Sequence, residues 1–170
     1  MCKVERLLFT VNLTRKPTMT REIALAIDPE SEEAGKTVSW AKENFLRKTD
    51  HVNLITVLCL DAEFVDHDYL LAVDEKDILE MEEKLKNEVK SKLENFRNVL
   101  NTDGILNVSI VLLKSKRSDT CKRLIEHLGT VHTDCLIMGS RNLSSWKRLI
   151  IGSFSDYIQS HVHCSVLLVK

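Results

Sequence analysis

Ile23-Ala24-Leu25-Ala26-Ile27-Asp28-Pro29 is the stretch on which the fold turns. A short, unbroken apolar run that stops at an Asp-Pro pair reads as a fully buried strand with a turn after it. Ser31, followed by Glu32 and Glu33, then makes a helix start, because acids in a first turn face the positive end of the helix dipole. Val38, Ala41, Phe45 and Leu46 carry that helix towards Arg47-Lys48. A second buried strand follows in Val52, Leu54, Ile55, Val57 and Leu58.

The alternation continues to the end of the chain. Residues 61–77 are acidic and irregular, with Asp61, Glu63, Asp66, Asp68, Asp74, Glu75 and Asp77, and read as a solvated loop. They lack the ligand spacing and central Gly of an EF-hand. Ile78, Met81, Leu85, Val89, Leu93, Phe96 and Leu100 then step by threes and fours, which predicts a long helix with this stripe packed in the core. Gly104 is its stop signal. Leu106 to Leu113 is the third strand, and Ser118 or Asp119 can cap a helix carrying Cys121, Leu124, Ile125 and Leu128. Cys135-Leu136-Ile137-Met138 is the fourth strand, a helix runs from about Ser153 to His161, and Val166-Leu167-Leu168-Val169 closes as the fifth. Apolar strands alternating with helices imply a parallel sheet covered on both faces, and right-handed crossovers make it a doubly wound α/β domain.

Composition narrows the function. The 170 residues suit one domain, 44% are apolar and 29% charged, and the net charge is −1. That balance argues against a nucleic-acid binder or a polybasic membrane binder. No apolar run approaches the ~18 residues of a membrane helix. The 5 cysteines (Cys2, Cys59, Cys121, Cys135, Cys164) are odd in number and scattered, so they read as reduced, mostly packed thiols in a cytoplasmic protein. His161, His163 and Cys164 are the nearest approach to a metal cluster and lack a second pair of ligands. Residues 1–20, with Lys3, Arg6, Arg15 and Lys16 against Glu5, form an N-terminal extension; import into an organelle through it is the alternative to a cytoplasmic location. The domain proper is residues 21–170.

Ligands of open α/β sheets bind beyond the carboxyl ends of the strands, where strand order switches. The richest such segment runs from Gly139-Ser140-Arg141-Asn142 to Lys147-Arg148-Leu149-Ile150-Ile151-Gly152-Ser153. A Gly at a strand end permits close backbone approach, Asn142 tolerates left-handed geometry, and Gly152-Ser153 opens a helix whose free N–H groups suit a phosphate. Neither a P-loop G-x-x-x-x-G-K-[ST] nor a dinucleotide G-x-G-x-x-G is present.

Together these segments resemble the universal stress protein family. Its nucleotide-binding members carry G-x2-G-x9-G-[S/T] after the fourth strand. Here Gly139 opens the pattern, Asn142 stands at the second Gly, and Gly152-Ser153 closes it. Phe154-Ser155-Asp156-Tyr157, Ile27-Asp28 with Trp40, and the ending Cys164-Ser165-Val166-Leu167-Leu168-Val169-Lys170 extend the likeness over residues 21–170. Ser165 replaces the family's usual Pro, and Ser118-Asp119-Thr120 stands where many members have Gly-x-Pro.

The resemblance implies the strand order 3-2-1-4-5 and an ATP site, with or without Mg2+, over the first and fourth strands. Ala26, Ile27, Asp28 and Val57 would face the adenine; Met138, Gly139, Arg141 and Asn142 would follow the ribose and phosphates; Gly152, Ser153, Phe154 and Ser155 would hold the phosphates. The expected function is an ATP-binding regulatory protein of the stress response, at most a slow ATPase, because the glycine loop offers Arg141 and Lys147 without an adjacent carboxylate. A homodimer through the fifth strand, Val166 to Val169, is expected because an apolar edge with unpaired N–H and C=O groups invites a second copy. The alternative is a nucleotide-free homodimeric scaffold that meets an unknown protein partner through the Asp61–Asp77 loop. Neither reading involves a nucleic acid or a membrane.

Overall fold

The computed structural model describes residues 20–59, 75–139 and 153–170. In β1 (Glu22–Ala26) successive side chains leave opposite faces of the sheet. Ile23 and Leu25 enter one buried cluster, and Ala24 and Ala26 enter the other. α1 (Glu32–Asn44) begins where the sequence places it: Ser31 is the N-cap, its Oγ accepting the Glu33 N–H at 3.2 Å. It ends at Asn44, short of Arg47-Lys48. The Phe45 and Leu46 N–H groups both turn back to the Ala41 carbonyl, and the Asp50 carboxylate takes the Arg47 N–H at 2.7 Å, which closes the helix into a turn.

The remaining elements are β2 (His51–Cys59), α2 (Glu75–Thr102), β3 (Val108–Ser115), a 3-10 turn (Arg117–Asp119), α3 (Thr120–Thr130), β4 (Cys135–Gly139), α4 (Ser153–His161) and β5 (Ser165–Val169). The 5-stranded sheet has the order β3-β2-β1-β4-β5, and all neighbours are parallel, as the family resemblance implies. Val38 and Ala41 of α1 and Val89, Leu93 and Leu100 of α2 cover one face. Cys121, Leu124 and Leu128 of α3 and Ile158 of α4 cover the other. The sheet is therefore doubly wound.

Several boundaries differ from the sequence reading. α2 starts at Glu75, so Glu75, Lys76 and Asp77 are helical, where acids suit the dipole. The rest of the 61–77 loop lies outside the described residues. The helical stripe is core only in its second half: Leu93 is fully buried, whereas Met81 is 60% exposed. Length explains this. The 28 residues of α2 span ~42 Å at helical rise, while the 9 residues of β2 span only ~30 Å, so the first turns of the helix overhang the sheet. Gly104, at φ 85°, ends α2 in the left-handed region and turns Ile105 into the core. Leu106 is then 75% exposed and precedes the third strand rather than opening it. Asp119 takes the N-cap position of α3 without a side-chain bond to the helix.

Candidate functional site

β1 and β4 are adjacent and in register, with Ile23 opposite Cys135 and Ala26 opposite Met138. β1 leads into α1 on one face of the sheet, and α4, the helix that follows β4 in sequence, packs on the other. Between them is the switch point of the sheet, the place where doubly wound folds open a crevice.

Of the predicted residues, Ala26, Ile27, Asp28, Val57, Met138 and Gly139 lie at or just beyond the carboxyl ends of β1, β2 and β4. Ala26, Met138 and Val57 share the face covered by α3 and α4, and all three are buried. β2 outruns β1, since Ile55 is the partner of Ala26 and Val57 lies two positions further along. Ile27 prolongs the ladder by one bond, its N–H donating to the Ile55 carbonyl at 3.0 Å. Asp28 is 4% exposed, and its Oδ1 accepts the Glu30 N–H at 3.1 Å while its carbonyl accepts the Ser31 N–H at 2.9 Å. This Asx turn, with Pro29 inside it, is the local reason the chain leaves the strand at that point. Gly139 is the last residue of β4 and is buried.

Ser153, Phe154 and Ser155 open α4, which Ile158 anchors in the core. Arg141, Asn142 and Gly152 lie outside the described residues. Sequence reading missed Thr120, which is fully buried beside the ends of β2 and β3. Its Oγ1 is 3.4 Å from Cys59 Sγ and donates to the Lys116 carbonyl at 3.4 Å. The departure Ser118-Asp119-Thr120 was the available signal. Two thiols near the strands are poor nucleophiles: burial pushes Cys121 up to about 12, and burial also raises Cys135. Among the described residues, no three of His, Cys, Asp and Glu converge in a way that would hold a metal ion.

The Universal stress protein family matches residues 19–170. Among solved structures, universal stress protein UspA from Lactobacillus plantarum aligns with a TM-score of 0.64 at 16% identity, covering 88% of this chain and 97% of that one. A universal stress protein from Archaeoglobus fulgidus in complex with dAMP gives 0.53 at 15% identity, with 88% and 98% coverage. A universal stress protein in complex with cAMP gives 0.58 at 14% identity, with 88% and 96% coverage. At these identities the likeness speaks to the fold. No curated protein sequence matches the chain. The family match takes in every strand of the sheet and both sides of its switch point, and this chain belongs to the universal stress protein family.

Proposed function

We propose that this chain is an adenine-nucleotide-binding regulatory protein that holds ATP between the carboxyl ends of β1 and β4. The observation that carries the reading is the switch point itself: Ala26 is in register with Met138, the buried Ile27 and Asp28 follow on one side and the buried Gly139 on the other, and α1 and α4 pack on opposite faces of the sheet. The dAMP and cAMP complexes of structurally similar proteins support an adenine nucleotide as the ligand class. Ala26, Ile27, Asp28 and Val57 face the base. Met138, Gly139, Arg141 and Asn142 follow the ribose and phosphates, and Gly152, Ser153, Phe154 and Ser155 close on the phosphates at the start of α4. Where Mg2+ accompanies the triphosphate, the phosphates and water would hold it. Hydrolysis is slow or absent. Asp28 already accepts the Glu30 N–H and stands at the adenine end, far from a γ-phosphate that needs its attacking water oriented.

Calorimetric titration of the purified chain with ATP, AMP and GTP tests the reading. Saturable binding of ATP and AMP that GTP fails to match is expected. Gly152→Val, which places a branched side chain where the phosphate approaches, should abolish ATP binding with the circular dichroism spectrum unchanged. Undiminished ATP binding by that variant overturns the phosphate assignment, and no binding of any adenine nucleotide by the parent overturns the function. The companion reading is a homodimer through β5. Among the described residues β5 pairs with β4 alone, and Val166, Leu167 and Leu168 remain half-buried. Sedimentation velocity should give twice the 19.5 kDa chain mass; a species at 19.5 kDa overturns it.

A further inference from the structure

We propose that Ser109, at the opposite end of the sheet, is a base-activated nucleophile that accepts the acyl group of a small ester. Three adjacent strands each contribute one side chain to the same face. Glu22 of β1 is the register partner of His51 on β2, and Ser109 of β3 lies beside Asn53, two positions along. Ring geometry joins them: His51 Nδ1 is 2.7 Å from Glu22 Oε2, and His51 Nε2 is 2.9 Å from Ser109 Oγ. A carboxylate only accepts, so in the neutral ring Nδ1 carries the proton and donates it to Glu22. Nε2 then presents its lone pair, and Ser109 O–H donates to it. That is the tautomer a general base needs, oriented by a third group.

The three residues are held in place. Glu22 N–H donates to Asp134 Oδ2 at 2.7 Å, its carbonyl accepts the Asp134 N–H at 2.8 Å, and His51 N–H donates to the Arg21 carbonyl at 2.9 Å. The Glu22 and His51 side chains are each 30% exposed, and Ser109 is itself only partly buried. Asn53 is on the face of β2 shared with His51 and is the register partner of Ser109.

The chemistry balances with water as the second substrate. Ser109 Oγ attacks the acyl carbon, forming the Oγ–C bond and passing its proton to His51 Nε2. The C–O bond to the leaving alkoxide breaks, and the imidazolium protonates that oxygen. Water then attacks the acyl-serine, gives its proton to Nε2, and the proton returns to Oγ as the carboxylic acid departs. A second Ser–His contact serves as an internal control. Ser160 Oγ is 3.0 Å from His161 Nδ1, but that nitrogen is also 2.8 Å from the Tyr157 carbonyl and must hold the proton there. It cannot act as a base towards Ser160.

The test is acetylation by p-nitrophenyl acetate, followed as release of p-nitrophenol and mapped by peptide mass. The parent chain should acetylate Ser109 and leave Ser160 unmodified. His51→Gln should lower the Ser109 rate by about 100-fold or more, and Glu22→Gln should lower it while the circular dichroism spectrum stays that of the parent. Ser109 modified no faster than Ser160, or equally fast in His51→Gln, overturns the proposal and leaves a polar ladder between strands. A melting temperature that falls in the variants while the parent never reacts overturns it in the same way.

Discussion

Removing the Asp50 carboxylate should be among the most damaging single changes outside the apolar core. Asp50 has a side chain 1% exposed, against 24% for its partner Arg21. Its Oδ1 takes Arg21 Nε–H at 2.9 Å, and its Oδ2 takes Arg21 Nη2–H at 2.6 Å and the Arg47 N–H at 2.7 Å. Arg21 also donates to the Phe45 carbonyl and lies 4.8 Å over the Phe45 ring. Its pKa is raised, chiefly by the hydrogen bond to Asp50 working against desolvation. Asp50→Ala leaves the Arg47 N–H unanswered, at about 1–3 kcal/mol, and breaks a buried ion pair, which together puts the loss at roughly 3–5 kcal/mol. In a chain of this size that is a fall in Tm on the order of 10 °C. Arg21→Met should be at least as harmful, because it strands a charge that is almost wholly buried where Asp50→Ala strands one that still touches water. The double variant Arg21→Met with Asp50→Ala should lose less than the two single variants together. Urea unfolding of the four proteins measures the coupling directly. A loss below about 1 kcal/mol for Asp50→Ala, or single losses that simply add in the double variant, refutes the reasoning.

Gly104→Ala forces a Cβ into a φ of 85° and to 3.2 Å from Lys48 Cε, so a stability loss of about 1–2 kcal/mol by thermal melting is expected, the flexible lysine giving way. His127 has its pKa lowered by burial and then by Arg123, so the unfolded chain binds more protons below the ordinary value of 6.5. Stability should therefore be lost on acidification through and below that value, and the loss should be smaller in His127→Gln when Tm is compared across pH. Cys121 and Cys135, buried and with raised pKa values, should resist Ellman's reagent at neutral pH until the chain unfolds, which absorbance at 412 nm would follow.

Much of the fold could be read because its strands announce themselves twice. Ile23 to Ile27 is apolar without interruption, as a strand covered on both faces must be, and Asp28-Pro29 marks its end with residues that bond their own turn. The alternation of strands and helices then leaves few architectures open. What resisted reading was set by lengths and by register. The stripe from Ile78 to Leu100 is continuous in sequence, yet nothing in its period says that the sheet beneath it runs out before Met81. Leu106 is as apolar as its neighbours in the third strand, and only the left-handed turn at Gly104 directs Ile105 inward and leaves Leu106 outside.

The two ends of the sheet show the same limit in functional terms. At the carboxyl end, Asp28 and Gly139 could be nominated because each stands at the end of a strand, which is visible in one dimension, whereas Ala26 and Met138 came with the family resemblance. At the amino end, Glu22, His51 and Ser109 come from three segments that no spacing rule connects. His51 reads as an ordinary polar residue at the start of a strand, and Ser109 as one polar position in an otherwise apolar run. Their meeting depends on Glu22 pairing with His51 and Ser109 falling beside Asn53. A slip of one residue in β3 would send Ser109 to the other face and put Val108 or Ile110 against the imidazole. The hydrogen bond from the Val52 N–H to the Asn107 carbonyl at 2.8 Å guards against that slip. The reactivity proposed for Ser109 is therefore a property of pairing between strands, and it disappears with the register even if all three side chains are kept.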